Sequence, residues 1–505
     1  MPIPLLNSVI SWLLKKRIQQ VELFMKYPEE TQLECLMNLL KSAKDTQFGR
    51  NYDFQSIVDY TDFSNRIPVV TYEDIADEIS RMRHGEQNLF WPTPIKWFAQ
   101  SSGTTNAKSK YIPVSQESLE DCHYAAAKDL LCMYLNNNPE SRLFDGKGLR
   151  LGGSKKLLDN GGTQYGDLSS ILIDNMPFWA DYSSTPTAEV ALMEDWELKL
   201  PAITQEALKE NVTSLAGVPS WMLVLLNHIL ETSGKENIVE IWPNLEVFFH
   251  GGVNFDPYQK PFREIIALPE MKYYEIYNAS EGFFAIQDSN NQKELLLMLD
   301  YGIFYEFIPM SEYGKSDAQV IPLWKVEKDV NYAMIISTNA GLWRYNIGDT
   351  VRFTSVKPYR VKVTGRTKHF INAFGEELII ENAENALKVA AQHTDAIVKD
   401  YTAAPIFMNE KSKGAHQWLI EFEKKPGSLS LFIEALDREL QKLNSDYEAK
   451  RKNNTTLNQL SIVEARKDLF YDWLKKHNKL GGQHKVPRLA NNRELIEELL
   501  TMNLD

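Results

Sequence analysis

"SSGTTNAKSKYIPVS", Ser101–Ser115, sets four hydroxyl side chains around one glycine, adds Lys108 and Lys110, and ends in an apolar run. Glycine lets the backbone come close to a ligand, and successive N–H groups in such a loop can converge on an anion. Serine and threonine hydroxyls rotate freely and suit phosphate oxygens, and the two lysines would attract a polyphosphate. The spacing is not that of the G-x-x-x-x-G-K-[ST] phosphate loop, which is therefore rejected. Taken alone, the stretch reads more readily as a Ser/Thr-rich surface turn.

The surroundings indicate an α/β chain. "GEQNLFWPTPIKWFAQ" leads into the loop as extended sequence, and Gln116–Leu135 behind it has helical periodicity with Ser115 as N-cap. "LEVFFHGG" (Leu245–Gly252) reads as a buried strand ending in glycines. "KYYEIYNASEGFFAI" (Lys272–Ile286) reads as a strand entering a loop, and "YAMIIST" and "VRFTSV" bracket a turn at Asn346–Asp349. A boundary falls near Val363–Lys368, giving a large domain over 1–363 and a smaller α+β domain over 364–505. In the latter, helices are expected at Glu377–Ala391, Ser428–Leu443 and Lys467–His477, with strands near Ala396–Asp400, Gln417–Phe422 and Leu460–Ala465.

Composition narrows the class. The 505 residues can bury a large core, and 43% hydrophobic and 24% charged residues are ordinary for a globular protein. A net charge of −13 leaves no excess of Lys and Arg for general nucleic-acid binding. Cys35, Cys122 and Cys132 lack metal-ligand spacing and cannot all pair, which points to a reducing cytoplasm. Leu5, Val9, Leu13 and Leu14 mark one face of an amino-terminal helix. The basic Lys15, Lys16 and Arg17 follow this apolar run rather than precede it, and it falls far short of the ~20 residues that cross a bilayer. An amphipathic helix packed on the body is expected, with no membrane partner.

Three further stretches carry chemistry. In "YNASEG" (Tyr277–Gly282) a ring able to stack on a purine precedes Glu281, a carboxylate able to hold Mg²⁺ on phosphates. In "RYNIGD" (Arg344–Asp349) Asp349 follows a glycine turn, where its oxygens could accept bonds from ribose hydroxyls. "TGRTKHFINAFGEEL" (Thr364–Leu378) places Arg366 and Lys368 where a hinge would lie. Each also has an ordinary reading: a solvated carboxylate, a capped turn, a basic linker.

Together with "LGGSKKLLDNGGTQYGDLSSIL", "AGVPSWM", "FFHGGVNFDPY" and "GGQHKVPRL", these stretches stand in an order that resembles the adenylate-forming superfamily of acyl-CoA synthetases, luciferases and adenylation domains. More specifically, the chain resembles the auxin-responsive acyl-acid amido synthetases, in a bacterial form, over nearly its whole length. The resemblance implies a large adenylate-forming domain with a mobile carboxy-terminal domain, ATP and Mg²⁺, and a small carboxylic acid and an amino acid as substrates. It implies that Ser101, Ser102, Gly103, Thr104, Thr105 and Lys110 clamp the β- and γ-phosphates. Gly251, Gly252 and Val253 would edge the adenine pocket and Tyr277 would stack on the base. Ser280 would sit near the α-phosphate, Glu281 would hold Mg²⁺, Asp349 would grip the ribose, and Arg366 would contact ribose or phosphate. Lys368 would reach the nucleotide from the hinge, and Lys485 would be the mobile lysine contacting substrate and α-phosphate.

Three positions depart from the superfamily pattern: Ala107 for a glycine, Asn346 for an arginine, and Lys368 for a hinge aspartate, the last as in the amido synthetase branch. His123, Ala126 and Leu130 on the helix behind the loop and Phe283 and Phe284 past Glu281 are the candidates for an acid pocket, each of which reads more readily as ordinary core. Two other functions remain compatible: an acid–coenzyme A thioester ligase, which needs a pantetheine tunnel, and a nucleotide-binding protein without turnover.

Overall fold

The computed structural model describes residues 16–101, 110–152, 157–159, 161–176, 178–253, 255, 258–315, 317–367, 370–376, 378–408, 413–452, 456–477 and 486–504. The amino-terminal face Leu5, Val9, Leu13 and Leu14 lies outside them. Among the described residues twelve strands form one mixed sheet, in the order Ile321–Pro322, Ile303–Pro309, Asn331–Thr338, Tyr345–Val356, Tyr359–Arg366, Leu295–Leu297, Gly282–Ile286, Lys272–Ala279, Val247–Gly251, Val212–Gly217, Lys147–Arg150 and Ser184–Thr185. The last five are parallel to one another and the rest pair antiparallel. Parallel strands need long crossovers, and the helices Trp196–Ala207, Pro219–Ser233 and Gln259–Ile265 fall between them in the chain. Pro219 opens its helix where a missing N–H costs nothing, and Gly234, at φ +66°, closes it in the left-handed region. The carboxyl ends of the parallel strands, at Arg150, Gly217, Gly251 and Ala279, share one edge of the sheet.

A second sheet holds the opening stretch. Trp97–Ser101 lies between Lys110–Val114 (antiparallel) and Gln164–Gly166 (parallel), with Leu158–Asp159 beyond. Ser101 faces Lys110 in register, so the chain leaves and re-enters this sheet at one place. The helix behind it begins as expected. Ser115 Oγ accepts from the Ser118 N–H at 2.9 Å, and Ser118 Oγ accepts from the Ser115 N–H at 3.0 Å. It is not a plain α-helix, because Ser118–Tyr124 is wound as a π-helix before Ala125–Asn137 resumes α geometry.

The carboxy-terminal third is α+β. The strands Ile397–Ile406, Ala415–Lys424 and Ser461–Glu464 form one sheet, and the helices Ile380–Thr394, Leu429–Leu443 and Leu469–Lys476 lie between or beside them in sequence. Two details differ from the sequence expectation. The strand Tyr359–Arg366 continues through residue 364, with Arg366 opposite Asp349, so the large sheet ends three residues past the expected boundary. The following segment is not a free linker. Ala373, Phe374 and Leu378 share one buried cluster with Leu226, Phe248 and Phe262 of the parallel half and with Trp418 and Leu436 of the carboxy-terminal sheet and helix. Tyr258 Oη donates to the Ala373 carbonyl at 2.7 Å.

One buried ion pair ties the amino-terminal helices to the antiparallel half. Arg344 is 4% exposed and Glu306 1%. Arg344 donates through Nε and Nη2 to the two Glu306 oxygens at 2.9 Å each, and through Nη1 to the Ile67 and Ser64 carbonyls at 2.6 and 2.7 Å. Tyr60 Oη donates to Glu306 as well. Removing one member strands the other charge in low dielectric. We therefore expect Arg344→Ala to cost about 3–5 kcal/mol, read from the urea midpoint by tryptophan fluorescence, and Arg344→Met with Glu306→Leu to recover most of it. A loss under about 1 kcal/mol for the single change would refute this account of the pair.

Candidate active site

The sequence Tyr277–Gly282 folds as a hairpin rather than as a strand entering a loop. Ala279 pairs with Gly282, and Ser280 and Glu281 are the entire connection. The turn stands at the carboxyl edge of the parallel strands, where open α/β sheets take their ligands. One strand away, Gly251 pairs with Ile276 so closely that an added Cβ would lie 2.6 Å from the Ile276 carbonyl oxygen. Gly252 follows at φ +83°, and Val253 is buried.

Asp349 reaches the same place from another direction. The expected turn at Asn346–Asp349 is instead a bulge within the strand Tyr345–Val356. Asn346 pairs with Ile335 and Thr350 with Ala333, so four steps on one strand face two on the other. Gly348 sits at φ +87°, a conformation open to glycine, and donates its N–H to Asn346 Oδ1 at 3.0 Å. Asn346 thus shapes the bulge, and its Nδ2 donates to Tyr313 Oη. Asp349 is thereby aimed at Tyr277, which donates its hydroxyl to Oδ2 at 2.8 Å, while Arg366 Nε stands 3.0 Å from Oδ1. Three strands separate those of Tyr277 and Asp349 in the order of the sheet, so this bond requires the sheet to curl.

Tyr277 is 7% exposed and packs on Phe284 with ring centroids 4.9 Å apart. The packed ring and the hydroxyl together hold Asp349.

Glu281 is half-buried and densely surrounded. Burial pushes its carboxyl up to about 7; the charge of Lys110 pulls against this, Asp349 adds repulsion, and Arg366 eases it. Lys110 therefore belongs to this cluster, and its Nζ also lies 5.7 Å from the centre of the Tyr72 ring. Tyr72 accepts the Tyr111 N–H at 3.0 Å. Val70, two residues earlier, bridges to Tyr345, which clamps this segment to the Asp349 strand. Sequence reasoning missed Tyr72, since a lone tyrosine before a helix carries no signal of its own.

The structure thus brings together Lys110, Glu281, Tyr277, Asp349 and Arg366, with Ser280 beside Glu281 and Ser101 opposite Lys110. Ser102, Gly103, Thr104, Thr105, Lys368 and Lys485 lie outside the described residues.

The expected acid wall is not assembled. His123, Ala126 and Leu130 do share one face, but that face is buried in the core, and burial holds the His123 imidazole down at about 4. Phe283 and Phe284 are also core; the Phe283 N–H donates to Cys122 Sγ at 3.2 Å, fixing the π-helical stretch against the hairpin. A cavity of 1610 Å³ opens instead on the other face of this helix, past Ala125, Asp129 and Cys132.

Among the described residues no group of three or more His, Cys, Asp or Glu side chains could hold a metal alone. One carboxylate at Glu281 is nevertheless a fitting donor set for Mg²⁺ carried on a polyphosphate, because that ion takes one or two carboxylates and completes its shell with phosphate and water.

Glu281 has a measurable consequence for the ligand-free protein. Between its ordinary value of 4.5 and about 7 the folded chain holds a proton that the unfolded chain has released, so stability falls as pH rises through that window. We expect Glu281→Gln to raise the melting temperature at pH 8 and to leave it unchanged near pH 4. An equal effect at both pH values would show that the carboxyl titrates normally.

The GH3 family N-terminal, central and C-terminal domains match residues 17–270, 296–366 and 381–494. Indole-3-acetic acid-amido synthetase GH3.2 of Arabidopsis thaliana is 22% identical over 67% of this chain and 74% of its own. Jasmonoyl-L-amino acid synthetase JAR4 of Nicotiana attenuata is 22% identical over 96% of both chains. The solved acyl acid amido synthetase AtGH3.15 in complex with 2,4-DB superposes with a TM-score of 0.63 at 18% identity, covering 97% of this chain and 96% of that one. With the N-terminal domain alone matching half of its length, this chain belongs to the GH3 family.

Proposed function

We propose that the protein activates a small carboxylic acid as its acyl-adenylate with ATP and passes the acyl group to an amino acid. The observation that carries this reading is the meeting of Lys110, Glu281, Asp349 and Arg366, supplied by four separate segments, at the carboxyl edge of the parallel strands. Relatives named as acid–amino acid synthetases supply the reaction class.

A carboxylate is a poor electrophile because its leaving group would be oxide. Attack of the acid oxygen on the α-phosphorus of ATP forms an acyl–phosphate bond and releases pyrophosphate. The amine then attacks the acyl carbon and AMP leaves. The first step brings two anions together, so the site must supply positive charge. Lys110 stands where the β- and γ-phosphates would lie if residues 101–105 clamp them. Tyr277 and Arg366 hold the two oxygens of Asp349, which is assigned the ribose hydroxyls. Mg²⁺ held at Glu281 would neutralise phosphate charge. Lys368 and Lys485 are assigned the α-phosphate and the acid.

The division into an N-terminal part and a mobile C-terminal part belongs to the same proposal, placed just after Arg366. A turn of the C-terminal part between the two half-reactions has to open the contact between Tyr258 and Ala373.

Exchange of labelled pyrophosphate into ATP tests the first step. We expect it to depend on an added carboxylic acid, and Lys485→Ala to lower it by about 10²–10³ without shifting the melting temperature. Acid-independent exchange, or parallel loss of folding and activity, would refute the assignment. Trapping the adenylate with amino acids should give the amide; capture by coenzyme A alone would make the chain a thioester ligase.

A further inference from the structure

Tyr72 stands between the two ends of the site. Its ring lies under the Lys110 ammonium, 5.7 Å from ring centre to Nζ, and its hydroxyl accepts the Tyr111 N–H at 3.0 Å. Lys110–Val114 is an outer strand of its sheet, paired on one side with Trp97–Ser101, so the Tyr72 hydroxyl takes up an N–H on the open side. Side chains alternate along a strand, and Tyr111 turns to the opposite face. There the Arg83 guanidinium lies 3.4 Å from its ring centre and 5.1 Å from that of Tyr165. The Lys110 ammonium and the Tyr72 ring remain together on the first face.

The near end of the segment is fixed to another strand. Val70 bridges to Tyr345; its N–H donates to the Arg344 carbonyl at 3.1 Å, and its carbonyl accepts from the Asn346 N–H at 2.8 Å. Thr71 donates through its N–H and through Oγ1 to Asp74 Oδ2, at 2.8 Å each, which closes the turn that carries Tyr72. Within three residues of chain, the strand of Asp349 is thus tied to the strand of Lys110. The tie ends on an aromatic face, which attracts an ammonium through its quadrupole and adds no negative charge to compete with a phosphate.

We propose that Tyr72 is a positioning residue for the nucleotide: its ring holds the Lys110 ammonium at a set distance from Asp349, so that the outer phosphates and the ribose are met in register. This rests on the reading of Lys110 as the cation of the β- and γ-phosphates and of Asp349 as the ribose acid.

Calorimetry of ATP and of AMP binding to the full-length protein, with saturating magnesium, tests this. AMP has neither outer phosphate and serves as the control for an intact site. We expect Tyr72→Leu to weaken ATP binding about fivefold, as for loss of one partly desolvated cation–ring contact, and to leave AMP binding unchanged. Tyr72→Phe keeps the ring face and should keep most of the ATP affinity. In a Lys110→Met background, Tyr72→Leu should have no further effect.

If Lys110→Met weakens ATP binding and Tyr72→Leu does not, the positioning role is wrong and the site reading stands. If Lys110→Met leaves ATP binding intact, the phosphate assignment falls and takes this inference with it. Equal losses for ATP and AMP in Tyr72→Leu would show that the residue acts on the site as a whole, and would overturn the proposal. So would an equal loss of ATP affinity in Tyr72→Phe and Tyr72→Leu, or a further loss in the double variant.

Discussion

The carboxylate of Asp349 joins two regions of sheet that the strand order keeps apart. Tyr277 binds one oxygen and Arg366 stands against the other, and the three side chains come from three strands. Shared core packing of Phe284 with Tyr345 and Val351 acts in the same direction as that bond. The bulge at Gly348 supports it by turning Asp349 out of the regular alternation, at the cost of two unpaired steps in the ladder. A buried carboxylate is expensive to keep, and such groups gather where a ligand is to be met.

Much of this was legible in the sequence, for physical reasons. The strand at Leu245–Gly252 was readable because an unbroken apolar run ending in glycines has few other uses, and the structure gives Val247–Gly251. The carboxy-terminal elements were readable from periodicity, with helix Leu429–Leu443 starting one residue after Ser428, its cap. The bulge at Gly348 was misread as a turn, because glycine after a β-rich run has the same local chemistry in both. The acid wall failed for another reason. Periodicity finds the apolar face of the helix at His123, Ala126 and Leu130, but a core and a binding pocket both ask for an apolar face. Only the neighbours of that face separate the two.

Charge in this site is organised by subtraction. Lys110 and Arg366 favour the ionised forms of the acids, while burial and the mutual repulsion of Glu281 and Asp349 oppose them. The two acids share one small space with these two cations, and burial still holds the Glu281 carboxyl up at about 7. The same logic separates this cluster from the Arg344–Glu306 pair a few residues away. There, full bidentate pairing and two further carbonyl acceptors leave nothing to offer a ligand. Two buried acids in one sheet thus serve different ends, and their partners decide which.

The hairpin at Ser280 and Glu281 has a consequence for how this chain can change over time. Both residues together make the whole link between two paired strands, and the Gly282–Ile286 strand is buried along its entire length. Adding or removing one residue would swap every later side chain in that strand to the opposite side of the sheet. Substitutions can accumulate at such a spot, but insertions and deletions cannot, so its spacing from Tyr277 should be preserved through lineages whose other loops drift freely in length.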